Sequence, residues 1–399
     1  MTQIAKEKTL LFMKPFLKEV LWGGTALRDR FGYDIPSEHT GEAWVISGHP
    51  AGPSVVADGE YAGMTLAELW REHGELFGRD KAEAQWEQEE LSGQAASKLR
   101  CESGELSGQD TANRSDNTFP LLVKLIDAGD DLSIQVHPDD DYAREHENGS
   151  RGKTECWYVV ECGEDADIII GHHAQSKEEL KRMIAEKRWS DLLCVRPVKK
   201  GDFFYIPSGT VHAIRKGTIL LEVQQSCDLT YRLYDYDRLQ NGKPRELHLE
   251  KAEDVITCPQ SLAKTEQSPV HIPGGERQIL VDSGKFTVEK WTIRTGSGVN
   301  AGENAEAAYG GKPAKAVETV YAANRAESAE SVDASEAVYE VRIADEKWKN
   351  NDSFLLCDII EGTGQICGRG VKAGDHFIVP SGFGDLAVRG EMTMIVSYP

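Results

Sequence analysis

The sequence predicts a mainly β protein: two related β-roll barrels in tandem, interrupted by short helical insertions. Two observations carry that expectation. The stretch Gly201-Asp202-Phe203-Phe204-Tyr205-Ile206-Pro207-Ser208-Gly209 returns as Gly374-Asp375-His376-Phe377-Ile378-Val379-Pro380-Ser381-Gly382, and Gly217 returns in the same register as Gly390. A constant offset of this kind marks one structural unit used twice. The second observation is a series of short, apolar, β-prone runs bounded by turn residues: Leu132–Val136 ahead of Pro138, Cys156–Val160, and Ile219–Val223. Proline cannot donate to a strand ladder, so a run stops where it stands.

The elements follow in chain order. Residues 1–81 alternate strand patterns with glycine turns, through Trp22-Gly23-Gly24 and Gly41–Ser47, and are expected to contribute to the first barrel. A short helix starts after Thr65, which with Glu68 has the spacing of a capping box. Residues 82–117 are rich in Glu, Gln, Ser, Gly and Ala and carry Glu-Leu-Ser-Gly-Gln twice. That composition predicts a solvated insertion. The first barrel is expected over 118–258. It holds one helix with Ser176 as N-cap and Leu180, Met183, Ile184, Trp189 and Leu192 on its inner face, and a second helix over Arg245–Val255. The second barrel is expected over 259–399, with a loose insertion at about 296–337.

Composition removes several classes of function. The chain has 399 residues, a formal net charge of −21 and no basic cluster, so nucleic acid and anionic lipid are poor partners. No apolar run approaches the ~18 residues of a membrane span, and the first nine residues are too polar for a signal peptide. Eight cysteines without any C-x-x-C spacing read as reduced thiols of a cytoplasmic protein.

Chemistry concentrates in three pieces of the first barrel: Gln135-Val136-His137-Pro138, Lys153-Thr154-Glu155, and Pro207-Ser208-Gly209-Thr210-Val211-His212. Alternate residues of a strand share a face, so Gln135 and His137 point the same way, as do Lys153 and Glu155. Two imidazoles, a carboxylate and an amide oxygen form a borderline-hard donor set that suits Zn²⁺, Fe²⁺ or Mn²⁺. In the second copy His212 falls on Asp385, so the repeat retains the turn and loses the ligand. Lys153 is placed to bind phosphate or assist proton transfer, and Arg232 offers a planar fork for phosphate or enediolate oxygens. Trp22, Glu42, Ser47 and His49 are candidates for a substrate pocket, with Trp22 and Trp44 equally suited to a core. Lys124 either faces the site or is buried against a carboxylate. His172 and His173 are adjacent, so both cannot face one metal, and a surface turn is expected. His248 is expected on the surface of the second helix or between helices.

These residues resemble a double cupin, and within it the type I mannose-6-phosphate isomerase family in its shorter bacterial form. The resemblance rests on K-P-F-L-K-E-V-L-W-G-G, G-E-A-W, L-S-I-Q-V-H-P, G-K-T-E-C-W-Y, P-S-G-T-V-H-A and Q-Q-S-C-D-L-T-Y-R-L-Y-D-Y, and covers nearly everything outside the two insertions. It implies one zinc ion held by Gln135, His137, Glu155 and His212. Arg232, Lys153 and Asp228 match the family's active-site arginine, lysine and acid. The implied reaction interconverts D-mannose 6-phosphate and D-fructose 6-phosphate through a cis-enediol(ate), on a small phosphorylated sugar, in a monomer or weak homo-oligomer. An iron-dependent cupin dioxygenase would use an overlapping ligand set, and a non-catalytic sugar-binding cupin is a third reading.

Overall fold

The computed structural model describes residues 9–79, 118–240, 242–261, 265, 268–272, 274–294, 341–343 and 353–399. The insertions expected at 82–117 and about 296–337 lie outside these residues.

In the first half the strands are β1 (Leu11–Lys14), β2 (Phe16–Gly24), β3 (Thr40–Ser47), β4 (Val55–Val56), β5 (Leu121–Ala128), β6 (Ile134–Val136), β7 (Glu155–Cys162), β8 (Asp167–His172), β9 (Leu193–Pro197), β10 (Phe203–Ile206), β11 (His212–Ile214), β12 (Thr218–Gln225) and β13 (Tyr231–Tyr234). Two antiparallel sheets form the first barrel. One has the order β10-β7-β12-β5-β2-β3, the other β13-β6-β11-β8-β9. Strand alternation divides each sheet into an inner and an outer face. On β6, Ile134 and Val136 face outward into an apolar layer with Ala213, Tyr231 and Leu233. That layer is covered by helices (Lys177–Ala185 and Leu249–Val255) through Leu180, Met183, Ile184 and Ala252. The predicted caps form: Ser176 accepts from the Glu179 N–H, and Thr65 and Glu68 make a complete capping box.

The second helix begins at Leu249, not at Arg245. Arg245 is bound to Asp235, and the His248 N–H donates to the Arg232 carbonyl at 2.8 Å. Those bonds hold 245–248 as a strap along β13. His172 also departs from expectation. It is buried at the end of β8, with Nε2 2.9 Å from the Thr257 carbonyl oxygen, while His173 is exposed.

The second half adds β14 (Leu239–Gln240) and β15 (Lys243–Pro244) as a small ribbon, then β16 (Val270–Ile272), β17 (Gly275–Asp282), β18 (Thr287–Arg294), β19 (Val341–Ile343), β20 (Leu355–Ile366), β21 (Arg369–Lys372), β22 (His376–Val379) and β23 (Leu386–Tyr398). Its main sheet runs β16-β17-β18-β23-β20-β22-β1-β4. The N-terminal residues therefore serve both barrels: β1 pairs with β22, Leu11 opposite Ile378. The second barrel's interior is filled by Trp291, Phe377, Met392, Met394 and Val396, with Phe12 from β1. The outer faces of the two barrels share one apolar core, in which Val123, Leu125, Leu221 and Val223 join Leu356, Ile360, Ile378 and Ile395.

The repeated sequence is a repeated turn. Gly201 and Gly374 have φ +90° and +92°, a region that only glycine enters freely. In each copy the following aspartate closes the turn: Asp202 accepts from the Lys199 N–H at 2.9 Å and Asp375 from the Lys372 N–H at 2.8 Å. Asp385, in the place of His212, is exposed. His376, in the place of Phe203, is buried between the barrels, 2.6 Å from Asp358 Oδ1 and 2.6 Å from Tyr33 Oη.

Candidate metal centre

The inner face of the first barrel carries the chemistry, because the period of two that sends Ile134 and Val136 out turns Ser133, Gln135 and His137 in. His212 lies opposite Gln135 in the β11–β6 register, and Arg232 lies opposite Gln135 on its other side. Glu155 opens β7 on the facing sheet, opposite Ile206 and Gln224.

His137, Glu155 and His212 are fully buried, and their candidate ligand atoms lie within 4.8 Å of one another. Glu155 Oε2 is 3.5 Å from His137 Nε2, and Oε1 is 3.3 Å from His212 Nε2. The Gln135 amide nitrogen stands 3.3 Å from His212 Nε2. Both imidazoles are held by backbone. His137 Nδ1 lies 2.7 Å from the Leu229 carbonyl oxygen and His212 Nδ1 lies 2.8 Å from that of Thr210. A carbonyl only accepts, so each Nδ1 carries the proton and each Nε2 aims its lone pair at the centre. Burial, with the nearby Lys153 cation, keeps His137 well below the ordinary imidazole pKa, and burial also lowers His212. Both are neutral, as ligands must be.

The carboxylate side is equally specific. Lys153 Nζ is 2.8 Å from Glu155 Oε2 and 3.2 Å from His137 Nε2. Burial acts against the Lys153 ammonium, yet Glu155 and Glu222 outweigh it and raise its pKa above the usual value. Lys153 thus balances Glu155 at Oε2, while among the described residues the buried Oε1 has no hydrogen-bond partner and only the His212 Nε2 beside it. A buried carboxylate so placed beside two imidazole lone pairs fits a divalent cation.

Beneath the ligands a charged row crosses the sheet from β7 to β3. Trp157, Glu222, Lys124 and Trp44 are successive register partners. Lys124 pairs with Glu222 at 3.0 Å, and the Trp157 indole N–H donates to Glu222 at 3.2 Å. Burial raises the Glu222 pKa, but Lys124 and Lys153 overcome it and hold the carboxylate ionised, well below its usual range. Glu222 escaped the sequence reading. Its signal is a lone acid at an inward position of the apolar run Thr218–Val223.

The other expected residues divide. Lys124 both faces the site and is buried against a carboxylate. Glu42 is at the same end, accepting from the Trp44 indole at 2.6 Å, with Lys18 and Lys124 each 3.9 Å away. His49 is half-buried edge-on to Trp44, while Ser47 is buried and accepts from the His49 N–H. Asp228 is exposed in the turn between β12 and β13; burial lowers the His49 pKa, and the Asp228 charge only partly offsets it. Trp22 is buried, packed among Ile126, Leu132, Ile168 and Leu220, the core position that the sequence left open beside a place in the pocket. Arg232 is half-buried on the inner face, donating to Ser133 Oγ at 3.2 Å and the Glu246 carbonyl at 2.9 Å. No carboxylate pairs with it among the described residues; neighbouring Asp235 is taken by Arg238 and Arg245. A cavity of about 680 Å³ beside Arg196, Phe203, Leu280 and Lys290 contains none of these groups.

Fold and centre together define a double cupin with a candidate metal site in its first barrel and a filled second barrel. Residues 10–86 and 80–155 match the family model "Phosphomannose isomerase type I, catalytic domain", and 336–399 match "Mannose-6-phosphate isomerase, cupin domain". The chain belongs to the type I mannose-6-phosphate isomerase family and is an enzyme of that class. It is 40% identical over 396 residues to the mannose-6-phosphate isomerase ManA of Bacillus subtilis, covering 97% of this chain and 98% of the relative. It is 48% identical over 284 residues to a mannose-6-phosphate isomerase of Streptococcus mutans, covering 71% and 78%. The crystal structure of the Bacillus subtilis mannose 6-phosphate isomerase superposes with a TM-score of 0.74 at 40% identity, covering 98% of this chain and 99% of that one. The Salmonella typhimurium apo enzyme, at 14% identity and a TM-score of 0.60, shares the fold.

Proposed function

We propose that this centre interconverts D-mannose 6-phosphate and D-fructose 6-phosphate through a cis-enediol(ate), with Zn²⁺ held by His137 Nε2, His212 Nε2, Glu155 and the Gln135 amide oxygen. The carrying observation is the convergence of two imidazoles, each fixed by its Nδ1 with Nε2 turned inward, on a buried carboxylate whose Oε1 has no hydrogen-bond partner among the described residues. A bound Zn²⁺ supplies Lewis-acid stabilisation of negative charge on the sugar oxygens. The chain's own groups do the rest. The Lys153 ammonium stays protonated and offers charge and a donor to substrate oxygens. Glu222 helps hold Lys153 in its charged form and forms an ion pair with Lys124. Arg232, half-buried and with no carboxylate partner among the described residues, has its charge free for phosphate or enediolate oxygens. Glu42, Lys124 and Asp228 stand where the sugar would enter, whereas Trp22 supports the barrel from within.

We assign the domains as a catalytic first barrel to about residue 258 and a structural second barrel beyond it, with β1 lent to the second. We place the enzyme in the cytoplasm, where reduced thiols such as those of the buried Cys156, Cys227 and Cys357 persist. Among the described residues no helix is long and apolar enough to cross a membrane.

A coupled isomerase assay on the purified protein, with elemental analysis, tests the reading. Activity should vanish on chelation and return with Zn²⁺. Full turnover in protein shown to be metal-free would overturn it, and oxygen consumption with an organic substrate would favour the dioxygenase reading.

A further inference from the structure

Among the described residues β13 is an edge strand: β6 pairs with one side of it and no described strand lies on the other. Arg232 turns its backbone to that open side. Its N–H donates to His248 Nδ1 at 3.2 Å and its carbonyl accepts from the His248 N–H at 2.8 Å. One histidine thus occupies both backbone positions that a neighbouring strand would fill. His248 stands at the N-cap of the Leu249–Val255 helix, yet its side chain makes no capping bond there. Its acceptor is spent on Arg232 instead. Two residues earlier the Glu246 carbonyl accepts from the Arg232 guanidinium at 2.9 Å, so the same strap holds the arginine at both ends.

We propose that His248 is a positioning residue for Arg232, acting only as the neutral imidazole whose Nδ1 lone pair receives the Arg232 N–H. The proposal rests on the reading of Arg232 as the group that holds charge on substrate oxygens. A protonated ring carries hydrogen on both nitrogens and cannot accept, so acid would release the arginine backbone from the strap. The groups that face the ring come from several elements. Arg232 and Tyr231 lie on β13, Glu246 on the strap and Lys251 on the helix. Glu147, bound to both Tyr231 Oη and Lys251, follows the Asp140–His146 helix. Burial and then the Arg232 charge lower the His248 pKa against the pull of Glu246 and Glu147, which keeps the ring neutral at neutral pH.

Three substitutions separate this role from mere packing. In His248→Asn the amide oxygen sits where Nδ1 sat, and asparagine is a good N-cap. In His248→Gln the acceptor moves to the place of Nε2, out of reach of the Arg232 N–H. His248→Ala has no acceptor. With mannose 6-phosphate as substrate, His248→Asn should keep near-wild-type kcat, whereas His248→Gln and His248→Ala should lose about tenfold or more with metal content unchanged. As pH falls towards about 5, the ratio of His248→Asn activity to wild-type activity should rise, because asparagine does not titrate. Normal kcat in His248→Gln, or a ratio that is flat with pH, would overturn the proposal. If His248→Gln does not fold, the Asn-to-wild-type ratio still decides. Arg232→Ala distinguishes the failures: normal turnover there removes the reading of Arg232 itself, while lost turnover beside an indifferent His248→Gln removes only the role of His248.

Discussion

At the scale of residues, the centre depends on geometry that single substitutions expose. Replacing His137, Glu155 or His212 by Ala should abolish stoichiometric metal binding, because the two imidazoles and the carboxylate are the strong donors and the Gln135 amide does not make up for the loss of one. His172→Ala should leave metal content intact, since that ring is spent on the Thr257 carbonyl; metal retained in His212→Ala would show the ligands misassigned. Arg232→Lys should lower turnover about a hundredfold, near 3 kcal/mol of transition-state stabilisation, because one ammonium does not reproduce a planar fork. Arg389→Lys, in the second barrel against Gln365, should leave catalysis unchanged. Acid acts on the same buried imidazoles. His137 and His212 have folded pKa values below that of an unfolded histidine, so the unfolded chain takes up protons first. Stability of the metal-free protein should be flat above about pH 6.5 and fall below it, down to the lowered folded values. Denaturation midpoints that do not move between about pH 7 and 5 would contradict that linkage.

At the scale of elements, the duplicated turn offers a controlled comparison. Alanine at Gly201 or Gly374 must adopt a left-handed backbone, which costs about 1–2 kcal/mol in each. A Cβ at Gly201 would meet only Tyr158 Oη at 3.8 Å, but at Gly374 it would stand 2.9 Å from the Phe31 Cβ. Gly374→Ala should therefore be the more destabilising by ~1 kcal/mol or more, read as the difference in denaturation free energy. Equal losses would mean that Phe31 yields without cost. The turn was legible because glycine, aspartate and proline act on the local backbone. The start of the Leu249–Val255 helix was not, because Arg245 and His248 are held by residues remote in sequence.

At the scale of the whole molecule, the two barrels are one body. They share an apolar core, and β1 is lent to the second sheet. Their interface buries the Tyr33–His376–Asp358 chain of hydrogen bonds. Burial raises the Asp358 pKa even with His376 alongside. His376→Phe would install the residue that the first copy has at this position, and would leave Asp358 buried alone. The expected loss is ~3–5 kcal/mol in a single unfolding transition, with metal content unchanged in the folded fraction. Tyr33→Phe, removing one hydroxyl, should cost about 1 kcal/mol. A stability for His376→Phe equal to wild type would show that the pair does not hold the barrels together.

The sequence by itself determined the β architecture, the repeated turn and the candidate trio His137, Glu155 and His212 that the fold brings together. Each of these is written in a local period or in a motif a few residues long. Tertiary structure alone decided the partners of the charges. Glu222 meets Lys124 because β12 and β5 lie side by side, and His248 reaches Arg232 because β13 is an edge among the described strands. It also placed Trp22 in the core, one of the two positions the sequence allowed, and moved His172 inside, since burial depends on what packs above a residue. A strand pattern records which way a side chain points; which group stands opposite it is set by pairing across sequence distances that no local pattern encodes.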